Sequence, residues 1–198
     1  MIEHIQCENK YGYDNNEYLI EFWKQIQSGW NPFDDIDMSK DFYIEVKDNK
    51  DNYPKHIVAL CGLCSTYNAK WFGGYAGIVH TKIGTDRNYY NEAVRNVLKQ
   101  RNNIMDVIYD CKSYEDISVS NALIYCDPPY EGTTKYKDGF DHKAYWNWVR
   151  EMSKNNIVLC SEYNAPDDFE CIWSKGVTTS LNVYKHENRT EKLFRYKM

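Results

Sequence analysis

Ala122-Leu123-Ile124-Tyr125-Cys126-Asp127-Pro128-Pro129-Tyr130 is the stretch on which the reading of this chain turns. Its first five residues are apolar or aromatic and short enough for a buried strand. Two prolines in succession can neither continue a ladder nor enter a helix interior, so the backbone must turn stiffly after Asp127. A carboxylate at that point sits on the carboxyl edge of a strand, where open α/β sheets hold their ligands. A rigid strand-to-loop turn without chemistry would also use Asp-Pro-Pro, but the aromatic Tyr130 and the run Thr133-Thr134-Lys135-Tyr136 behind it favour a site.

Outward from this stretch the chain alternates between strands and helices. Residues 106–110 read as a short strand and 157–160 as a buried one. Between 142 and 153, Tyr145, Trp148, Val149 and Met152 repeat the i, i+3, i+4, i+7 pattern of a helix. The tail, 178–196, alternates around a polar tip at 185–190, as a hairpin at a sheet edge does. Towards the amino terminus, Lys10-Tyr11-Gly12-Tyr13-Asp14 reads as a strand. Leu19, Phe22, Trp23 and Ile26 then form one helix face, closed by Gly29. Residues 31–53 are polar, acidic and aperiodic, which predicts surface loops. An apolar run at 57–63 leads into the ring-rich segment 65–76, and a helix is predicted over 88–101 with Ala93, Val94, Val97 and Leu98 inward. The fold class is α/β.

Composition sets bounds. The 198 residues suffice for one α/β domain with a modest insertion, and 42% hydrophobic with 27% charged residues excludes a disordered chain. Eighteen Tyr and six Trp exceed what one core needs and suit stacking against flat ligands, although an AT-biased coding sequence accounts for them equally well. A net charge of −5 argues against a general nucleic-acid coat protein but permits contact through one basic face. Lys82, Arg87, Arg95, Lys99 and Arg101 fall in one stretch, and Lys135, Lys137 and Lys143 in another. Seven cysteines without a secretory signal or an apolar run of membrane length fit a reducing cytoplasm. Cys61-x-x-Cys64 has no second pair, so no metal site is expected. Ser161-Glu162 has no His placed to activate a nucleophile and reads as a strand end, His142 as a helix start, and Gly73-Gly74 as a tight turn.

These motifs resemble the Dam-like class of S-adenosylmethionine-dependent DNA adenine methyltransferases, especially its phage-type members, over nearly the whole chain. The resemblance rests on Asp127-Pro128-Pro129-Tyr130 and on Tyr13-Asp14-Asn15-Asn16-Glu17-Tyr18-Leu19-Ile20, which looks like the class's acidic strand end and following helix. It extends to Cys111-Lys112-Ser113-Tyr114 and to the strand and loop at 157–166. It implies a Rossmann-like methyltransferase fold, incomplete at its amino terminus, with an inserted target-recognition segment. Residues 1–30 would start the methyltransferase domain, 31–105 would form the insertion, and 106–198 the catalytic part. The implied activity is methyl transfer to the N6 amine of an adenine flipped out of double-stranded DNA, as in restriction-modification.

The resemblance also assigns roles. Asp127, Pro128, Pro129 and Tyr130 would be catalytic. Asp14, Ser113, Tyr114 and Asp127 would bind S-adenosylmethionine, with Asp14 on the ribose hydroxyls, although many relatives carry an acid where Ser113 stands. Lys70, Trp71, Lys135 and Tyr136 would contact DNA. The class opens with a glycine-rich loop preceded by Gly-Gly-Lys, and Met1-Ile2-Glu3 begins about where that loop ends. A fragment, a split enzyme completed by a separate chain, and an inactive remnant or accessory subunit all fit that departure. RNA adenine, cytosine N4 or a protein amide are alternative acceptors. Localisation is expected in the cytoplasm, of a host cell if phage-encoded.

Overall fold

The computed structural model describes residues 2–81, 83–131, 139–182 and 185–197, with side chains described except over 177–189. The chain is mixed α/β and divides into two compact units, residues 1–116 and 117–198.

In the first unit, β1 (Lys10–Asp14) leads into α1 (Glu17–Gln27). Asn16 starts the helix, its side-chain oxygen accepting from the N–H groups of Tyr18 and Leu19. Ile20, Phe22 and Ile26 are buried along one stripe, and Trp23 stacks on Tyr109. Gly29 closes the helix at φ 101°, a conformation side chains avoid.

Two short helices follow, α2 (Pro32–Asp35) and α3 (Lys40–Asp48), where the polar sequence suggested loops only. The reason is local. Asn31 caps Phe33 with proline at the first helical position, and Ser39 caps Phe42. Tyr43 and Val46, three apart, bury one narrow face within an otherwise charged helix. The apolar run becomes α4 (Lys55–Ala59), continued by a π-helical turn, Leu60–Cys64. Val58, Ala59, Leu60 and Cys61 are fully buried there. Burial pushes the Cys61 and Cys64 thiols up to about 12, so both behave as apolar core groups.

A small antiparallel pair, β2 (Ile78–His80) and β3 (Asp86–Asn88), precedes α5 (Tyr89–Gln100) and β4 (Val107–Cys111). β4 lies parallel to β1, from Lys10 opposite Val107 to Asp14 opposite Cys111. Gly12 is required by this pairing, since a Cβ there would lie 2.6 Å from the ring of Tyr109 opposite. The Gln27 side-chain amide donates to the carbonyls of Ile104 and Val107, tying the end of α1 to the start of β4.

The second unit holds β5 (Leu123–Cys126), α6 (His142–Ser153), β6 (Ile157–Glu162), β7 (Phe169–Asn182) and β8 (Lys185–Tyr196). Its sheet order is β5-β6-β8-β7, with β5 and β6 parallel and the rest antiparallel. Asp141, not His142, caps α6, which buries Tyr145, Trp146 and Val149. Asn156 accepts from the Ala122 N–H and donates to the carbonyls of Val119 and Met152, setting where β5 begins. Two expectations need correction here. Leu123 and Ile157, at the starts of β5 and β6, are exposed rather than buried. The carboxyl-terminal hairpin is also longer than its alternation suggested. Its strands run from Phe169 and to Tyr196, and the supposed tip at 185–190 lies within β8, because a ladder continues through polar residues wherever partners exist. Among the described residues no helix is long and apolar enough to cross a membrane.

Candidate active site

Asp127 follows the last residue of β5, at the carboxyl end of the parallel β5–β6 pair. Ser161 and Glu162 end the neighbouring strand. The Tyr130 hydroxyl is hydrogen-bonded to the Ser161 hydroxyl, which Tyr125 shares, and Tyr130 also bonds the Asp127 carboxylate. The Tyr130 ring meets Tyr163 edge-on, with centroids 4.7 Å apart. Asp127 reaches solvent on one flank. The protein packed on its other flank desolvates it and holds the carboxyl above its ordinary 3.8, the Tyr130 hydrogen bond opposing and the Glu191 charge adding to the rise.

In the sequence Glu162 reads only as a strand end. It is 1% exposed, and its carboxylate accepts from the N–H groups of Tyr163, 2.6 Å, and Glu131, 3.0 Å. It therefore pins the backbone directly after the Pro-Pro turn to the end of β6. Burial raises its pKa, against these two hydrogen bonds. A cavity of about 360 Å³ lies beside it, lined by Tyr163, Asn164, Thr190 and Lys192.

The first unit carries a comparable arrangement at the carboxyl ends of β1 and β4. Asp14 accepts from the Asn16 N–H at 2.7 Å, and its carbonyl accepts from the Lys112 N–H. Burial raises the Asp14 carboxyl above its ordinary 3.8, the Asn16 hydrogen bond opposing. A cavity of about 400 Å³ opens here, lined by Asn15, Asn16, Glu17, Tyr18, Trp71 and Cys111. Ser113, two residues beyond Cys111, accepts from the Glu115 N–H and starts the single turn Tyr114–Asp116. The Tyr114 hydroxyl donates to Glu115. Neither Ser113 nor Tyr114 lines the cavity.

Among the expected DNA contacts, Lys70 is exposed, with its stem along Gly73. Trp71 lies in the wall of the Asp14-side cavity, and Lys135 and Tyr136 fall outside the described residues. In the first basic stretch, Arg87 is held by Glu92 and Arg101 donates to the Trp30 carbonyl, so both cations have structural partners. The sequence signals for Ser161 and Tyr163 were present only as their position at the end of the strand after α6.

No family model matches this chain. Over 154 residues, 73% of its length, it is 26% identical to the type II methyltransferase M.FokI of Planomicrobium okeanokoites. The matched part is 22% of that relative, so the chain spans about a fifth of its length.

Proposed function

We propose that this chain is the catalytic part of a Dam-like DNA adenine-N6 methyltransferase that uses S-adenosylmethionine and acts on a base flipped out of double-stranded DNA. The observation that carries this reading is Asp127-Pro128-Pro129-Tyr130 at the end of a parallel strand, with Asp127 and Tyr130 hydrogen-bonded together beside Ser161. The partial similarity to a type II methyltransferase supports methyl transfer.

An adenine amine is a poor nucleophile because its lone pair is delocalised into the ring. The Asp127 carboxylate and the Pro128 carbonyl can each accept one of its two N–H bonds. Held so, the nitrogen becomes more pyramidal and its lone pair is aimed. The two prolines keep that carbonyl in place without relaxation. Tyr130, tethered through its hydroxyl, offers a ring to the extruded base, a contact worth on the order of 1–3 kcal/mol. That offsets much of the few kcal/mol needed to unstack the base. When bound, S-adenosylmethionine supplies a methyl carbon made electrophilic by a cationic sulfur. The cavity lined by Asn15, Asn16 and Tyr18 would take its nucleoside, with the neighbouring Asp14 carboxylate, partly desolvated, accepting from the ribose hydroxyls. As part of a Rossmann-like methyltransferase fold, residues 31–105 would form the target-recognition segment, with exposed Lys70 on the phosphate backbone.

The test is incubation with tritiated S-adenosylmethionine and duplex DNA, followed by nucleoside analysis. Label in N6-methyladenine, lost in Asp127→Ala, is expected. Label in N4-methylcytosine or in protein, or label unchanged by Asp127→Ala, overturns the assignment.

A further inference from the structure

The segment around Trp71 is held in a costly backbone conformation. Asn68, Ala69 and Phe72 all have positive φ, 55°, 51° and 44°, although none is glycine. Left-handed residues of this kind are strained and persist where the surroundings over-determine them. The surroundings here are specific. The Phe72 N–H donates to the Gly62 carbonyl, and a Cβ on Gly62 would lie 2.7 Å from the Trp71 ring. The indole therefore sits in a notch that only glycine leaves open. Phe72 meets it edge-on at 5.0 Å, and Tyr18 lies tilted against it at 5.5 Å. The ring nevertheless stays 37% exposed, where it lines the cavity at the ends of β1 and β4.

We propose that Trp71 is the aromatic wall for the adenine ring of an adenosine-type ligand in this cavity, and not a DNA contact. The proposal rests on the methyltransferase reading above for the ligand's role. The cavity's own chemistry narrows the ligand further. Indole and phenol in the wall suit a flat heteroaromatic base, and Asp14, next in the chain to the lining residue Asn15, suits vicinal ribose hydroxyls at its edge. Among the described residues no Lys or Arg lines it, and Glu17 in its wall already pairs with Lys55 at 2.6 Å. A nucleoside bearing a neutral or cationic 5′ substituent matches this lining, and one bearing phosphates does not.

Binding of S-adenosylhomocysteine to the whole chain, followed by calorimetry and by tryptophan fluorescence, tests this directly. Trp71→Ala should weaken binding about ten-fold, as expected for loss of one stacking contact, while Trp71→Phe should stay within about three-fold of wild type. ATP should not compete, and duplex DNA should bind both variants as it binds the wild type. Melting curves of the two variants report whether the fold is kept, and the phenylalanine variant preserves the test if alanine unfolds the notch. Equal binding by wild type and Trp71→Ala, a phenylalanine loss as large as the alanine loss, competition by ATP, or lost DNA affinity with unchanged S-adenosylhomocysteine binding overturns the role given to Trp71. Those outcomes leave adenine methylation standing. Tight S-adenosylhomocysteine binding through Trp71 with no N6-methyladenine on DNA keeps the pocket and removes adenine as acceptor. No binding by the wild type overturns both.

Discussion

Asp14 and Asp127 each end a parallel strand, and burial raises the carboxyl pKa of each, yet their partners differ. Asp14 accepts from the backbone N–H of Asn16, two residues on, inside a tight strand-to-helix turn. Asp127 is bonded to a side chain, Tyr130, that is itself tied to Ser161 on the next strand. A backbone donor holds a carboxylate in one place and suits static recognition of hydroxyls. A hydroxyl relay holds it just as closely but can adjust as a substrate amine arrives. In the proposed reading, the same residue type at the same kind of strand end serves two tasks according to what donates to it.

The sharpest separation between the two should come from Asp127→Ala. It is expected to lower the methylation rate on the order of 10²–10³-fold, as loss of one preorganised polar contact does at other reacting centres. S-adenosylmethionine binding should weaken far less than the rate does, since Asp127 is only one of the cofactor contacts the resemblance implies. Asp14→Ala should do the reverse, raising the cofactor Kd by roughly 10- to 100-fold, the size of hydrogen bonds to a charged group, with the rate at saturating cofactor retained. Single-turnover assays across cofactor concentrations read both; a rate loss in both variants without a Kd change would erase the distinction.

Glu162→Ala probes the support beneath Asp127. It leaves the Glu131 and Tyr163 N–H groups without their carboxylate acceptor, at a cost of about 1–3 kcal/mol for each donor left buried and unsatisfied. A lowered melting temperature is expected, and an unchanged one would mean that water reaches both donors. Ser161→Ala removes one hydroxyl from the relay and should slow methylation about 2- to 10-fold, the scale of a neutral hydrogen bond, while Asp14-dependent cofactor binding stays constant.

The smallest effect expected is on pH dependence. A carboxyl whose folded pKa is raised keeps its proton to higher pH in the folded state than in the unfolded chain. Its contribution to stability therefore falls as pH rises from the ordinary 3.8 through the raised value. Asp127→Asn should melt slightly above wild type at neutral pH, the gap closing below pH 3.8. Methylation should fall on the acid side at a pH above 3.8, because a protonated Asp127 accepts less well from an amine.

Much of the site was legible as order along the chain. Asp14 and Asp127 each followed an apolar or aromatic strand, and the helices at 17–27, 89–100 and 142–153 showed their periodicity plainly. The helix at 40–48 did not, because only Tyr43 and Val46 of its nine residues are buried and its charges masked them. Glu162 carried no signal either, since its meaning lies in donors supplied by Glu131, thirty-one positions away.

Local chemistry by itself determined where strands stop, where helices are capped and which carboxylates stand at strand ends, because proline geometry, Asx caps and apolar spacing act within a few residues. Only the tertiary structure decided that Trp71 shares a cavity with Asn15 and Cys111, and that Ser161 holds Tyr130. Those pairings depend on strand register and on a glycine notch, and a contact between residues far apart in sequence leaves no period to read.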